Sequence, residues 1–168
     1  MLSEMKNDID AVTISTPDHT HAAAAMAAMQ LGKHVYVQKP LTHNIREARM
    51  LTEAARKYKV VSQMGNQGAS NPTQTQMMAW LDKGLVGKVH TVYIWTNRPV
   101  WPQGIPLPTE KPALPESMSK ENWDLFIGPA NYVDYHPLYH PFKWRGWWNF
   151  GTGALGDMGC HLIDPAFR

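Results

Sequence analysis

The sequence predicts an α/β protein: the second half of a doubly wound parallel sheet, followed by the start of an α+β unit. Three observations carry that expectation. Short β-branched runs alternate with helix-forming stretches over residues 11–65. The connections between them are short and punctuated by Pro or Gly, as in sheets built from strand–helix–strand crossovers. Beyond residue 98 the texture changes to a stretch crowded with proline and tryptophan.

The elements follow in order. AVTIS (11–15) is a short apolar, β-branched run halted at Thr16-Pro17, the pattern of a buried parallel strand. HTHAAAAMAAMQLGK (19–33) consists almost wholly of strong helix formers, with Gly32 placed to close the helix. HVYVQ (34–38) is a second strand, stopped by Pro40. NIREARMLTEAARKYK (44–59) sets Ile45, Ala48, Leu51 or Thr52, and Ala55 on one face at helical spacing. VVSQM (60–64) is a third strand, ending at Gly65. These units occupy a first domain over residues 1–85, and residues 86–168 form a second. In the second, VHTVYIWT (89–96) alternates like a half-buried strand and is expected to open that domain's sheet. Between residues 98 and 141 the proline density argues against regular helix or central strand, so a long loop is expected. Its aromatics, Trp101, Trp123, Tyr132, Tyr135 and Tyr139, suit either pinning that loop down or stacking on sugar faces.

Bulk composition excludes several classes. A formal net charge of +2 over 168 residues is too small and too evenly spread for a nucleic-acid or anionic-membrane surface. No apolar run reaches the ~20 residues that span a bilayer. The opening MLSEMKNDID lacks the apolar segment of a secretory signal, and the single Cys160 excludes an internal disulfide framework.

In a doubly wound sheet, ligands lie outside the carboxyl ends of the strands. Those ends here are Ser15-Thr16-Pro17-Asp18, Gln38-Lys39-Pro40 and Gly65-Asn66-Gln67, all polar. A second polar motif is GTGALGDMGCH (151–161), which contains a literal G-x-G-x-x-G at Gly151, Gly153 and Gly156. It follows WRGWWNF rather than a strand, and the acidic partner expected about 20 residues later has no room. It is therefore not read as a pyrophosphate loop. Asp157 and His161, four apart, share one helix face, with Asp164 on roughly the same side. That spacing fits a helix N-terminus with a core histidine, a metal pair whose third ligand is not named locally, or an acid–base site. The ten residues before Ala11 cannot hold the Gly-rich strand–turn–helix unit with which a dinucleotide-binding sheet begins. The expectation is that this sequence represents part of a longer protein.

The series TPDHTH (16–21), VQKPL (37–41), MGNQ (64–67) and GALGDMGCHLID (153–164) resembles the glucose–fructose oxidoreductase, inositol dehydrogenase and MocA (Gfo/Idh/MocA) family. The resemblance implies a Rossmann sheet and a substrate domain, NAD or NADP as cofactor, and oxidoreduction of a sugar, polyol or related hydroxy compound. It further implies a homo-oligomer in the full-length protein; the default expectation is a cytoplasmic location, with an export signal ahead of Met1 as the alternative, and no nucleic-acid, membrane or metal partner is expected. Two alternatives stand beside it: an NAD-dependent glycoside hydrolase on the same scaffold, and a non-catalytic fragment. Mapped onto these positions, the resemblance makes Lys39, Asp157 and His161 catalytic. His161 is then the base for the hydroxyl proton, Asp157 contacts substrate or orients the imidazole, and Lys39 stabilises developing alkoxide charge. Thr16, Pro17, His19, His21, Gln38, Lys39, Asn66, Gln67, Trp144 and Arg145 become the cofactor-binding set, His21 being the family's matching histidine. The family commonly has Glu where this chain has Gln38, so a negative charge next to Lys39 is replaced by a neutral amide. The resemblance also implies a cis peptide at Lys39-Pro40.

Overall fold

The computed structural model describes residue 2 and residues 4–167. Three strands, β1 (Ala11–Ile14), β2 (His34–Gln38) and β3 (Ser62–Gly65), form a parallel sheet in the order β1-β2-β3. Val12 pairs with Val35 and Val37 with Met64, so all three strands run out at the same edge. Helix α1 (His21–Gln30) joins β1 to β2, and α2 (Ile45–Tyr58) joins β2 to β3.

Local chemistry explains where the helices begin and end. Asn44 accepts the Glu47 N–H while the Glu47 carboxylate accepts the Asn44 N–H, a reciprocal cap that starts α2. Gly32, at φ +74°, turns the chain out of α1 into β2. Both helices pack on one sheet face: Ala25, Ala28 and Met29 of α1 and Leu51 and Ala54 of α2 close over Ile14, Val35 and Val37. The opposite face is more open. Tyr36 lies there across Gly65, where a β-carbon would stand 2.9 Å from the tyrosine ring.

Beyond β3 lies a helix that the apolar pattern did not reveal, α3 (Pro72–Asp82), capped by Asn71, with Pro72 in its first turn. None of its residues is buried, so it lacks the apolar stripe that marks a helix in sequence. The expected strand at 89–96 is corrected. VHTVYIWT forms no strand, and Tyr93 and Trp95 are each 80% exposed. A strand exists through its ladder, and no described strand lies beside this segment to accept its hydrogen bonds.

The expectation of an unbroken loop over 98–141 is also corrected. Helix α4 (Lys120–Ile127) fits into the proline-free interval between Pro115 and Pro129. The Ser119 hydroxyl oxygen accepts the Asn122 N–H at 3.1 Å to start it. Trp123, 1% exposed, and Ile127 bury one side of α4 against Tyr139, Trp144, Trp147 and Phe150. Indole donors bind the loop directly, Trp123 Nε1 to Val133 O at 3.0 Å and Trp147 Nε1 to Leu138 O at 2.7 Å. Trp101, Trp123 and Tyr139 thus pin the loop rather than face solvent, whereas Tyr132 is exposed. The chain closes with α5 (Gly153–Leu162) and the short α6 (Asp164–Phe167).

Candidate active site

The carboxyl ends of β1 and β2 open into a polar cleft of about 420 Å³, lined by Thr16, Pro17, Asp18, Gln38, Lys39 and Asp157 with a wall from Pro141 to Arg145. Lys39 is the centre of charge. Its Nζ donates to Asp157 Oδ1 at 2.6 Å and to the Asp157 carbonyl at 2.7 Å, so the β2 end and α5 meet through one half-buried ion pair. The Lys39-Pro40 peptide is cis. Gln38 turns its amide oxygen back to accept the Lys39 N–H at 3.2 Å.

Each glycine of the G-x-G-x-x-G has its own cause. A β-carbon at Gly151 would stand 2.6 Å from the Arg145 backbone, Gly153 adopts φ +64°, and a β-carbon at Gly156 would meet Thr152 Oγ1 at 2.1 Å. The motif packs a tight turn and opens α5. It does so at the end of a 3-10 turn (Lys143–Gly146) and loop, as expected from WRGWWNF, not from a strand.

Residues from the sheet side grip that turn. The His19 backbone N–H donates to Phe150 O at 3.2 Å, and His43 Nε2 contacts Gly151 O at 3.2 Å. Thr152 Oγ1 donates to Asp18 Oδ2 at 2.9 Å. Burial pushes the Asp18 carboxyl above the usual range, against the opposing pull of the Thr152 hydrogen bond and the charges of His21 and Lys39.

The two histidines of TPDHTH do not line the cleft. The His19 ring is buried, its nitrogens 3.2 Å from Phe150 O and 2.7 Å from Phe126 O. Burial lowers its pKa, partly offset by those carbonyls. The His21 ring, also buried, reaches Thr16 O and Pro40 O at 2.7 Å each, tying together the loops after β1 and β2. Both rings are thus engaged with backbone carbonyls and do not line the cleft. Thr16 and Pro17 do line it, and the Thr16 hydroxyl accepts from Thr20 at 2.7 Å.

His161 sits one turn beyond Asp157 on α5, half-buried beside Gly68, where a β-carbon would stand 3.7 Å from Nδ1. Burial first, and then the positive charge of Lys39, lowers its pKa below the ordinary 6.5, with Asp157 pulling the other way. Asn66 Nδ2 donates to Cys160 O at 2.7 Å and anchors α5 to the β3 end, while Asn66 Oδ1 is buried without a partner. Gln67 is exposed at the start of a short 3-10 turn (Gln67–Ser70). Trp144 is buried, and Arg145 lines the cleft, its guanidinium 4.2 Å from the Trp144 ring and 4.6 Å from the Phe142 ring. The sequence reading missed Asp18, Thr152 and His43. The only signal for Asp18 was its position at a strand end.

A parallel sheet with a polar cleft at its strand ends, completed by a helix from a following unit, defines the doubly wound nucleotide-binding class. Residues 1–66 match the family model described as oxidoreductase family, NAD-binding Rossmann fold, and residues 71–167 match its C-terminal alpha/beta domain. The chain belongs to the Gfo/Idh/MocA oxidoreductase family. It is 26% identical over 160 residues to a levoglucosan dehydrogenase of Pseudarthrobacter phenanthrenivorans, covering 95% of this chain and 32% of that protein. It is 27% identical over 169 residues to an NADP(+)-dependent scyllo-inositol 2-dehydrogenase of Bacillus subtilis, covering 99% and 37%. Among solved structures, an inositol dehydrogenase homologue from Azotobacter vinelandii, complexed with NADH and myo-inositol, matches 52% of this chain and 24% of that one at 30% identity and a TM-score of 0.50. The chain thus spans about a third of the length of these full-coverage relatives. No helix among the described residues is long and apolar enough to cross a membrane.

Proposed function

We propose that the protein takes part in NAD(P)-linked oxidation or reduction of a sugar, polyol or related hydroxy compound. In this reading residues 1–85 belong to the cofactor unit and residues 86–168 to the substrate unit. The observation that carries it is the Lys39–Asp157 ion pair of 2.6 Å at the mouth of the strand-end cleft, with His161 one turn further along α5. The cleft has the size and polarity for the reactive end of a nicotinamide cofactor, with Thr16, Pro17, Gln38 and Arg145 on its walls. The unpaired Asn66 Oδ1 offers a further acceptor at the β3 end. When bound, that cofactor would accept or return a hydride at the reacting carbon.

The chain's own residues manage the proton and the charge. Alcohol oxidation releases a hydride from carbon and a proton from oxygen. His161, its pKa lowered by burial and by Lys39, is neutral near pH 7 and so accepts the hydroxyl proton. The Lys39 ammonium stabilises the oxygen as negative charge grows on it. Asp157 holds Lys39 in place through two contacts. Reduction runs the same steps backwards, with His161 as the acid.

The test is absorbance at 340 nm with NAD or NADP and a panel of inositols, anhydrosugars and aldoses, using the full-length protein that contains this chain, unsubstituted and with His161→Ala. The expected result is turnover that His161→Ala lowers by about 10²- to 10⁴-fold while cofactor affinity is kept. Release of an aglycone from a glycoside without net reduced cofactor overturns the dehydrogenase reading.

A further inference from the structure

Asp18 is a buried carboxylate for which the proposed chemistry has no role. It is 6% exposed, borders the cleft at the end of β1, and carries the electrostatic cost of burial. Its partner is Thr152, the residue immediately before α5. A threonine in that position ordinarily turns its hydroxyl oxygen onto an N–H of its own first helical turn. Thr152 makes no such bond. Its hydroxyl donates to Asp18 instead, and the missing side chain of Gly156 leaves the space for it.

The first turn of α5 is thus met by a carboxylate that lies 134 positions earlier in the chain. A negative charge there complements the positive end of the helix. His19 and His43 hold Phe150 and Gly151, the two residues just before Thr152, so the grip is continuous over residues 150–152. The helix so held carries Asp157, the partner of Lys39, in its second turn.

We infer that Asp18 is a positioning residue: through Thr152 it fixes the start of α5 against the end of β1 and so sets the approach of Asp157 and His161 to Lys39. The inference deepens the proposed function and rests on it. Asp18 acts on the reaction through α5, not on the substrate.

Thr152→Val keeps the shape of the side chain and removes the donor, and it is the primary variant. Asp18→Ala and Asp18→Asn are read beside it, in the full chain. Amide hydrogen exchange over residues 153–157 is expected to quicken about fivefold in Thr152→Val and Asp18→Ala, the size of a lost hydrogen bond worth ~1 kcal/mol. In the same variants kcat for NAD(P)-linked turnover is expected to fall on the order of 10- to 100-fold with KM little changed, because the reacting groups are misplaced rather than removed. Asp18→Asn retains an acceptor oxygen for Thr152 and is expected to recover most of both. Unchanged exchange and kcat in Thr152→Val overturn the inference, as does a loss in Asp18→Asn equal to that in Asp18→Ala. An unsubstituted protein without NAD(P)-linked turnover overturns the proposed function instead, while the exchange measurement still reads the Asp18–Thr152 contact.

Discussion

Truncating Phe150 to Ala tests whether the aromatic cluster is a core that holds the turn before α5 in place. The Phe150 side chain is 0% exposed, and its ring centroid lies 5.1 Å from His19, 5.2 Å from Phe126 and 5.5 Å from Tyr139. The neighbours come from the end of β1, from α4 and from the loop after it, so no single element can collapse into the vacated space. Losing a fully buried phenyl ring costs about 3–5 kcal/mol, the upper part of that range applying where the cavity stays open. At a urea dependence of about 2 kcal/mol per molar, the unfolding midpoint drops by about 1.5–2.5 M. Trp148→Ala is the control: that ring is 86% exposed, and its removal is expected to change stability by no more than about 0.5 kcal/mol. Urea unfolding followed by tryptophan fluorescence reads both. A Phe150→Ala cost below about 1 kcal/mol refutes the argument, because the ring would then not be enclosed as described.

Three further outcomes are expected. Burial lowers the pKa of His19 below 6.5, so the unfolded chain binds more protons as pH falls. The stability supplied by neutral His19 is present above pH 6.5 and lost as pH drops through the folded-state value. His140 and His161 shift the same way, and Asp18 the opposite way, its contribution being greatest below 3.8. Chemical denaturation between pH 7 and 5 reads the effect, and an undiminished loss in His19→Gln speaks against it. In kinetics, the acid limb of kcat/KM falls below pH 6.5, since burial and Lys39 hold the His161 pKa down; a limb above 6.5 removes His161 as the base in this setting. Finally, β1 has β2 on one side and no described strand on the other, and such an edge pairs with other chains. Light scattering is expected to show self-association that Thr13→Lys reduces, and a monomer at every concentration counts against it.

How much of this was legible in the sequence depended on how far apart the interacting residues lie. AVTIS and HVYVQ were readable because β-branched residues and a following proline act locally, and β1 and β2 fall within one residue of those runs. VVSQM was shifted by two, since Val60 and Val61 precede the ladder that pairs Ser62 with Val35. The 89–96 segment misled because alternation describes side chains, whereas a strand needs a partner that its own residues do not specify. Proline counting concealed α4, although its Ser119 cap was local and visible. In the site, Lys39 and Asp157 were found through their motifs, and they meet at 2.6 Å across 118 positions. Asp18, Thr152 and His43 escaped because none has a local pattern; each acts through a tertiary contact. His19 and His21 were placed in the cofactor-binding set by the resemblance, and their ring nitrogens are engaged by backbone carbonyls.

The bridge made by His21 limits how the cleft can move. Because one buried ring holds both Thr16 O and Pro40 O, the loops after β1 and β2 cannot separate without breaking a contact on one side of the imidazole. Opening them independently would take one half-buried carbonyl from the imidazole. The two loops are therefore coupled through His21, with Lys39 next to Pro40 on the tied side. The opposite wall, residues 141–145, is tied differently: Trp144 is buried in the aromatic cluster, and Arg145 lies over the Trp144 and Phe142 rings. The two sides of the cleft are thus fixed by different means, a histidine bridge on one and aromatic packing on the other.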